Sequence, residues 1–131
     1  MLATFQQDDR YRFDATVLKN VIKRLIEEKL SNANASMADT GSSNSKLCPT
    51  FVVAISAANV EGPPVLIRSY VCEGFNANKC AIWQAARCTS ARSSFFKSMF
   101  VDVPAPGGWY VDGGLRHNNP SQLALDEAQR I

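Results

Sequence analysis

A chain of 131 residues, 46% hydrophobic and 20% charged, has the length for one modest domain. Its single histidine, His117, excludes a histidine-rich metal cage and any paired-histidine acid–base chemistry. The net charge of +2 is spread evenly, with 6 basic and 5 acidic residues in 1–30 and 8 and 7 in 31–131, which excludes a strongly basic nucleic-acid-binding surface.

The longest apolar run, Phe51-Val52-Val53-Ala54-Ile55, is far short of the roughly 20 residues a membrane span needs. Met1 to Arg12 is polar and charged and shows no apolar core of a signal peptide, so a reducing, cytoplasmic setting is expected. Cys48, Cys72, Cys80 and Cys88, separated by 24, 8 and 8 positions, form no Cys-x-x-Cys pair; they are expected to be buried apolar thiols, with no metal site.

In chain order, Val17, Leu18, Val21, Ile22, Leu25, Ile26 and Leu30 recur at helical spacing, which predicts an amphipathic helix over 13–30 with Asp14 as its cap. Its polar face carries both signs of charge, so core packing is favoured over lying on a membrane. Residues 31–46 are small and polar and predict a flexible loop. Thr50–Ser56 and Val65–Tyr70, joined by a turn through Asn59 and Pro64, predict a strand pair, the first central and covered on both faces, the second nearer an edge. Ile82–Thr89 favours a short helix anchored by Trp83, and Trp109-Tyr110-Val111 a brief strand running into Asp112-Gly113-Gly114. Asn119 and Pro120 are expected to cap and open a last helix through Ile131. Strands mixed with helices around a central apolar strand point to an α/β sandwich.

The segment from Tyr110 to Pro120 concentrates the unusual residues. An aspartate that ends a strand and is followed by two glycines presents a carboxylate at a sheet edge on a tight turn. Local physics leaves an ordinary turn open as well, with Asp112 capping backbone and glycine supplying a positive φ. Gly113-Gly114 ahead of a helix lacks the lysine and glycine spacing of a phosphate-binding loop.

The string Val111-Asp112-Gly113-Gly114 with Asn118-Asn119-Pro120 resembles the Asp-Gly-Gly/Ala box of the patatin-like phospholipases. Arg12-Phe13-Asp14, Thr50-Phe51-Val52-Val53-Ala54, Arg68-Ser69-Tyr70, Ile82-Trp83-Gln84-Ala85-Ala86-Arg87, Thr89-Ser90-Ala91 and Phe95-Phe96 resemble the same family in the same order. The resemblance spans the chain apart from 31–46 and implies a lipid acyl hydrolase with a Ser–Asp dyad: a serine on a nucleophile elbow attacks an ester, and the aspartate is the general base. Carried over by position, Asp112 would be that base, Gly113 and Gly114 the motif glycines, and Phe95 and Phe96 acyl-pocket contacts. Such a dyad needs no second histidine, and His117 is expected to be a polar loop residue. No cofactor is implied, and the expected partner is a phospholipid or other lipid ester, with peripheral membrane contact.

Two departures qualify the resemblance. No Gly-x-Ser-x-Gly elbow occurs in the chain; Gly41-Ser42-Ser43-Asn44-Ser45 lacks the second glycine, and Ser90, Ser93 and Ser94 have no flanking glycines. Arg92-Ser93 stands where the family usually has a small residue and proline, in a segment lining the acyl pocket. The expectation is therefore that residues 1–131 are the C-terminal part of one patatin-like domain, a partial α/β sandwich lacking its N-terminal strands. Such a piece would once have been attached to further domains, would be inactive alone, and would expose an open sheet edge and an apolar helix face. The alternative is a non-catalytic truncated paralogue that binds lipid or protein.

Overall fold

A computed structural model describes residues 11–40, 48–92, 94–102 and 106–131. Helices α1 (Ala15–Leu30), α2 (Met37–Thr40), α3 (Ile82–Thr89), α4 (Gly114–His117) and α5 (Ser121–Arg130) accompany strands β1 (Phe51–Ser56), β2 (Val65–Arg68), β3 (Met99–Val101) and β4 (Gly108–Asp112). The fold is mixed α/β, with one antiparallel sheet in the order β2-β1-β4-β3. β1 is interior and β2 lies at an edge, as their compositions predict.

Helix α1 begins where its cap dictates: the Asp14 carboxylate accepts from the Thr16 N–H at 2.7 Å. Helix α3 starts with the Gln84 side chain accepting from the Ala81 N–H at 2.9 Å and lies on the sheet, its small residues allowing close approach. Ala85 and Cys88 of α3 meet Ala54, Ile67 and Val101 of the sheet, with Cys80 and Met37 completing the core. Burial pushes the Cys80 thiol up to about 11 and Cys88 up to about 12, so both remain neutral packing groups. Cys72 is also buried; Cys48 is exposed, contrary to its expected burial, because it precedes β1 outside the core.

Outside α3 lies α1, whose Lys19 and Lys23 ammonium groups stand 4.7 and 5.3 Å from the centre of the Trp83 ring. Only one stripe of α1 is covered: Val17, Val21 and Leu25 are exposed at four-residue spacing, the apolar helix face expected to lie open. No helix of the described residues is long and apolar enough to cross a membrane.

The first part of the expected 31–46 loop is structured, which corrects the compositional reading. Ser36 bridges to Ala81, the Met37 N–H donates to the Cys80 carbonyl at 2.9 Å, and the Ile82 N–H donates to the Ala35 carbonyl at 2.9 Å. Backbone pairing of this kind needs no bulky side chain on its own segment, and Met37 supplies the one apolar group the core takes. The remainder of that loop, with Gly41, Ser42, Ser43, Asn44 and Ser45, lies outside the described residues, as does Ser93.

Candidate functional site

Asp112 closes β4: the strand lies between β1 and β3, but its pairing with β3 ends at Tyr110, so Asp112 itself pairs only with β1. Register pairs Asp112 with Ala54, a residue of the core beneath α3, so the two side chains share that face. The Asp112 N–H donates to the Ala91 carbonyl at 3.1 Å, joining the strand end to the segment that leaves α3. The Thr89 hydroxyl donates to the Val53 carbonyl at 2.7 Å and fixes the C-terminal end of α3 against β1.

The turn that follows is shaped by contact and not by left-handed backbone. Gly113 has φ −59°, so it does not supply the positive φ of the ordinary-turn reading; a Cβ there would stand 2.5 Å from the Val53 carbonyl oxygen. Glycine is required because the chain crosses directly over β1. Gly107 is a different case: it takes φ +80° in the connection between β3 and β4. One Asp112 oxygen, Oδ1, accepts from the Gly114 N–H at 2.7 Å, and Oδ2 has no partner among the described residues.

Two clefts meet at this carboxylate. One, of about 500 Å³, is lined by Ala91, Arg92, Val111, Asp112, Gly114, Leu115 and Asn118. The other, of about 370 Å³, places Asp112 and Gly114 beside Val53, Thr89, His117, Asn118 and Pro120. The half-buried carboxylate thus borders open space on both sides, with an acceptor oxygen to spare. His117 sits in the one-turn helix α4 and lines the second cleft.

Phe95 and Phe96 are half-buried and pack against Phe13, with ring centres 5.9 and 5.5 Å away. Phe96 lines a third cleft of about 330 Å³ with Tyr11, Ala57, Ala91, Ser94, Ser98 and Val111; Ala91 and Val111 are shared with the larger Asp112 cleft. Ser94 takes a left-handed φ of 69° in this region, and the Ser90 hydroxyl donates to the Ala86 carbonyl at 2.6 Å. No serine hydroxyl among the described residues bonds to Asp112.

The family model for patatin-like phospholipases matches residues 4–125. The chain belongs to that family. Comparison with curated proteins and with solved structures returned no match. Membership relates this patatin-like chain to lipid acyl hydrolases, and its mixed α/β architecture is compatible with a partial patatin-like fold.

A second polar centre was not legible in the sequence. Arg68 closes β2 one residue after Ile67, which faces the α3 core, and so points to the opposite face of the sheet. There its guanidinium donates to Glu127 of α5 through Nε at 2.6 Å and Nη2 at 2.7 Å, while the Tyr70 hydroxyl donates at 2.5 Å and Arg130 at 2.9 Å. The Arg68 hydrogen bonds pull the Glu127 carboxyl down to about 2, and burial together with Glu127 pushes the Tyr70 phenol up to about 12. The one available signal was the position of Glu127 four residues after Leu123, where an amphipathic helix would carry an apolar side chain. Helix α5 itself begins at Ser121, one residue later than expected, with the Asn119 side chain accepting from the Ser121 hydroxyl at 2.7 Å.

Proposed function

We propose that this chain supplies the general-base carboxylate of a Ser–Asp lipid acyl hydrolase, and that Asp112 is that group. The observation that carries the reading is the place of Asp112: a strand-end carboxylate held through Oδ1, with no partner for Oδ2 among the described residues and the side chain lining a cleft. In the proposed reaction a serine hydroxyl donates to Oδ2 and attacks the ester carbonyl carbon as its proton passes to the carboxylate. The proton then goes to the departing alkoxide, leaving an acyl-serine that water hydrolyses by the same route. Gly113 allows the turn beneath the carboxylate, and the dyad calls on no cofactor or metal. We assign the substrate to phospholipids or related lipid esters, taken up in peripheral contact with a membrane from the cytoplasmic side.

The nucleophile is proposed to come from chain preceding these residues, which would make 1–131 the C-terminal part of one patatin-like domain. In a longer form carrying a Gly-x-Ser-x-Gly elbow, Asp112→Asn should lower p-nitrophenyl ester hydrolysis by about 10³-fold or more, with an unchanged melting temperature. Undiminished hydrolysis would remove Asp112 from the role. The absence of an elbow within residues 1–131 supports a second reading, a non-catalytic lipid- or protein-binding paralogue. Both readings expect no fluorophosphonate labelling of the 131-residue protein: a specifically labelled serine would sink the second and would move the nucleophile of the first into residues 1–131.

A further inference from the structure

Although the chain carries a net charge of only +2, three guanidinium groups gather on one aromatic cluster beside the Asp112 cleft. Arg92 lines that cleft and stands 5.2 Å from the centre of the Phe95 ring. Arg12 stands 5.8 Å from the same ring and 5.5 Å from Phe13; its N–H donates to the Ser94 carbonyl, which ties the two segments together. Arg87 lies 5.9 Å from Phe96, is buried, and spends Nη2 on the Lys97 carbonyl at 2.8 Å, leaving Nη1 unpartnered among the described residues. Ion pairs among the described residues engage Arg68, Arg116 and Arg130, and none reaches Arg12, Arg87 or Arg92.

Arg12 and Arg92, which share the Phe95 ring and have no carboxylate partner among the described residues, create a local positive potential that the even charge distribution of the sequence hides. A cation–ring contact uses the charge of a guanidinium and not its N–H donors, and those donors can take phosphate oxygens in pairs. Next to the cluster, Phe13, Val17, Val21 and Leu25 are exposed at four-residue spacing, apolar side chains of the kind that enter a bilayer interface alongside basic ones. The geometry points to Arg12 and Arg92 as a clamp for the phosphate of an anionic phospholipid, placed where a bound lipid would lead its ester toward Asp112. This assignment rests on the Asp112 cleft being the ester site and adds to it a head-group preference.

Sedimentation of the 131-residue protein with vesicles tests the clamp. Vesicles of phosphatidylcholine with about 30 mol% phosphatidylglycerol should bind at least tenfold more tightly than phosphatidylcholine alone. Arg12→Gln with Arg92→Gln should lower that affinity on the order of 30-fold, and each single change on the order of fivefold, so either single variant carries the test should the pair melt early. Lys29→Gln with Lys79→Gln removes equal charge elsewhere and should cost less than about threefold. Equal binding to both vesicle types, or an equal loss in the lysine pair, would overturn the clamp. Inorganic phosphate at about 20 mM and constant ionic strength should leave binding intact, whereas full displacement would overturn the lipid assignment in favour of a free phosphate site. Asp112→Asn should leave vesicle affinity within about twofold while it abolishes hydrolysis in the longer form, so the clamp and the catalytic reading fail separately.

Discussion

Glu127 on α5 and Asp112 at the end of β4 are both carboxylates in the C-terminal part of the described chain, yet their surroundings differ in kind. Glu127 is 1% exposed, and its two oxygens accept from four donors: Oε1 from Arg68 and Arg130, Oε2 from Arg68 and Tyr70. A carboxylate has about four lone-pair sites, so Glu127 has no capacity left for chemistry. Asp112 accepts one backbone N–H and borders two clefts. Saturation marks the structural group and spare capacity beside open space marks the candidate for reaction, although the sequence presents both simply as acidic residues near a helix.

The contrast can be broken in order of effect. Glu127→Ala leaves the Arg68 guanidinium buried without its counter-charge and should cost about 3–5 kcal/mol, lowering the melting temperature on the order of 10–20 °C by circular dichroism. Arg68→Met with Glu127→Leu should recover most of that loss, because the desolvated charges leave together. Acid should act on the same group. The folded carboxyl sits at about 2 against an ordinary 4.5, so its contribution is complete above about pH 4.5 and is lost as the pH falls toward 2. The loss should be on the order of 3 kcal/mol, read from melting temperature against pH and flattened in the Met/Leu pair.

Next comes Gly113→Ala, whose Cβ would press on the Val53 carbonyl; about 1–3 kcal/mol should be lost, and the longer form should lose activity with it as the strand end shifts. Smallest is Asp112→Ala, which removes one hydrogen bond to Gly114 and should cost about 0.5–1 kcal/mol in a chemical denaturation series. A loss at Asp112 as large as that at Glu127 would erase the distinction between them.

Local chemistry made much of the fold legible. Asp14 caps α1 where an acceptor precedes a helical apolar pattern, and α3 runs over the predicted Ile82–Thr89. What escaped depends on distant partners. β3 is three residues long and exists through pairing with β4, and α2 forms where Ser36 and Met37 meet Cys80 and Ala81. The candidate site divides the same way: Asp112 stood out through its two glycines, while the interior position of β4 and the reason for Gly113 required β1 to be in place.

By itself the sequence determined the family, through ordered motifs from Arg12 to Pro120 within the matched residues 4–125, together with the elements whose hydrogen bonds and apolar spacing are local. Only the tertiary structure decided which charges are spent and which are free. Arg68 and Glu127 are 59 positions apart and close on each other, while Arg12 and Arg92 meet on the Phe95 ring without a carboxylate among the described residues. Charge pairing follows distance in space and the loss of water around each group, and neither is written in the order of residues along the chain.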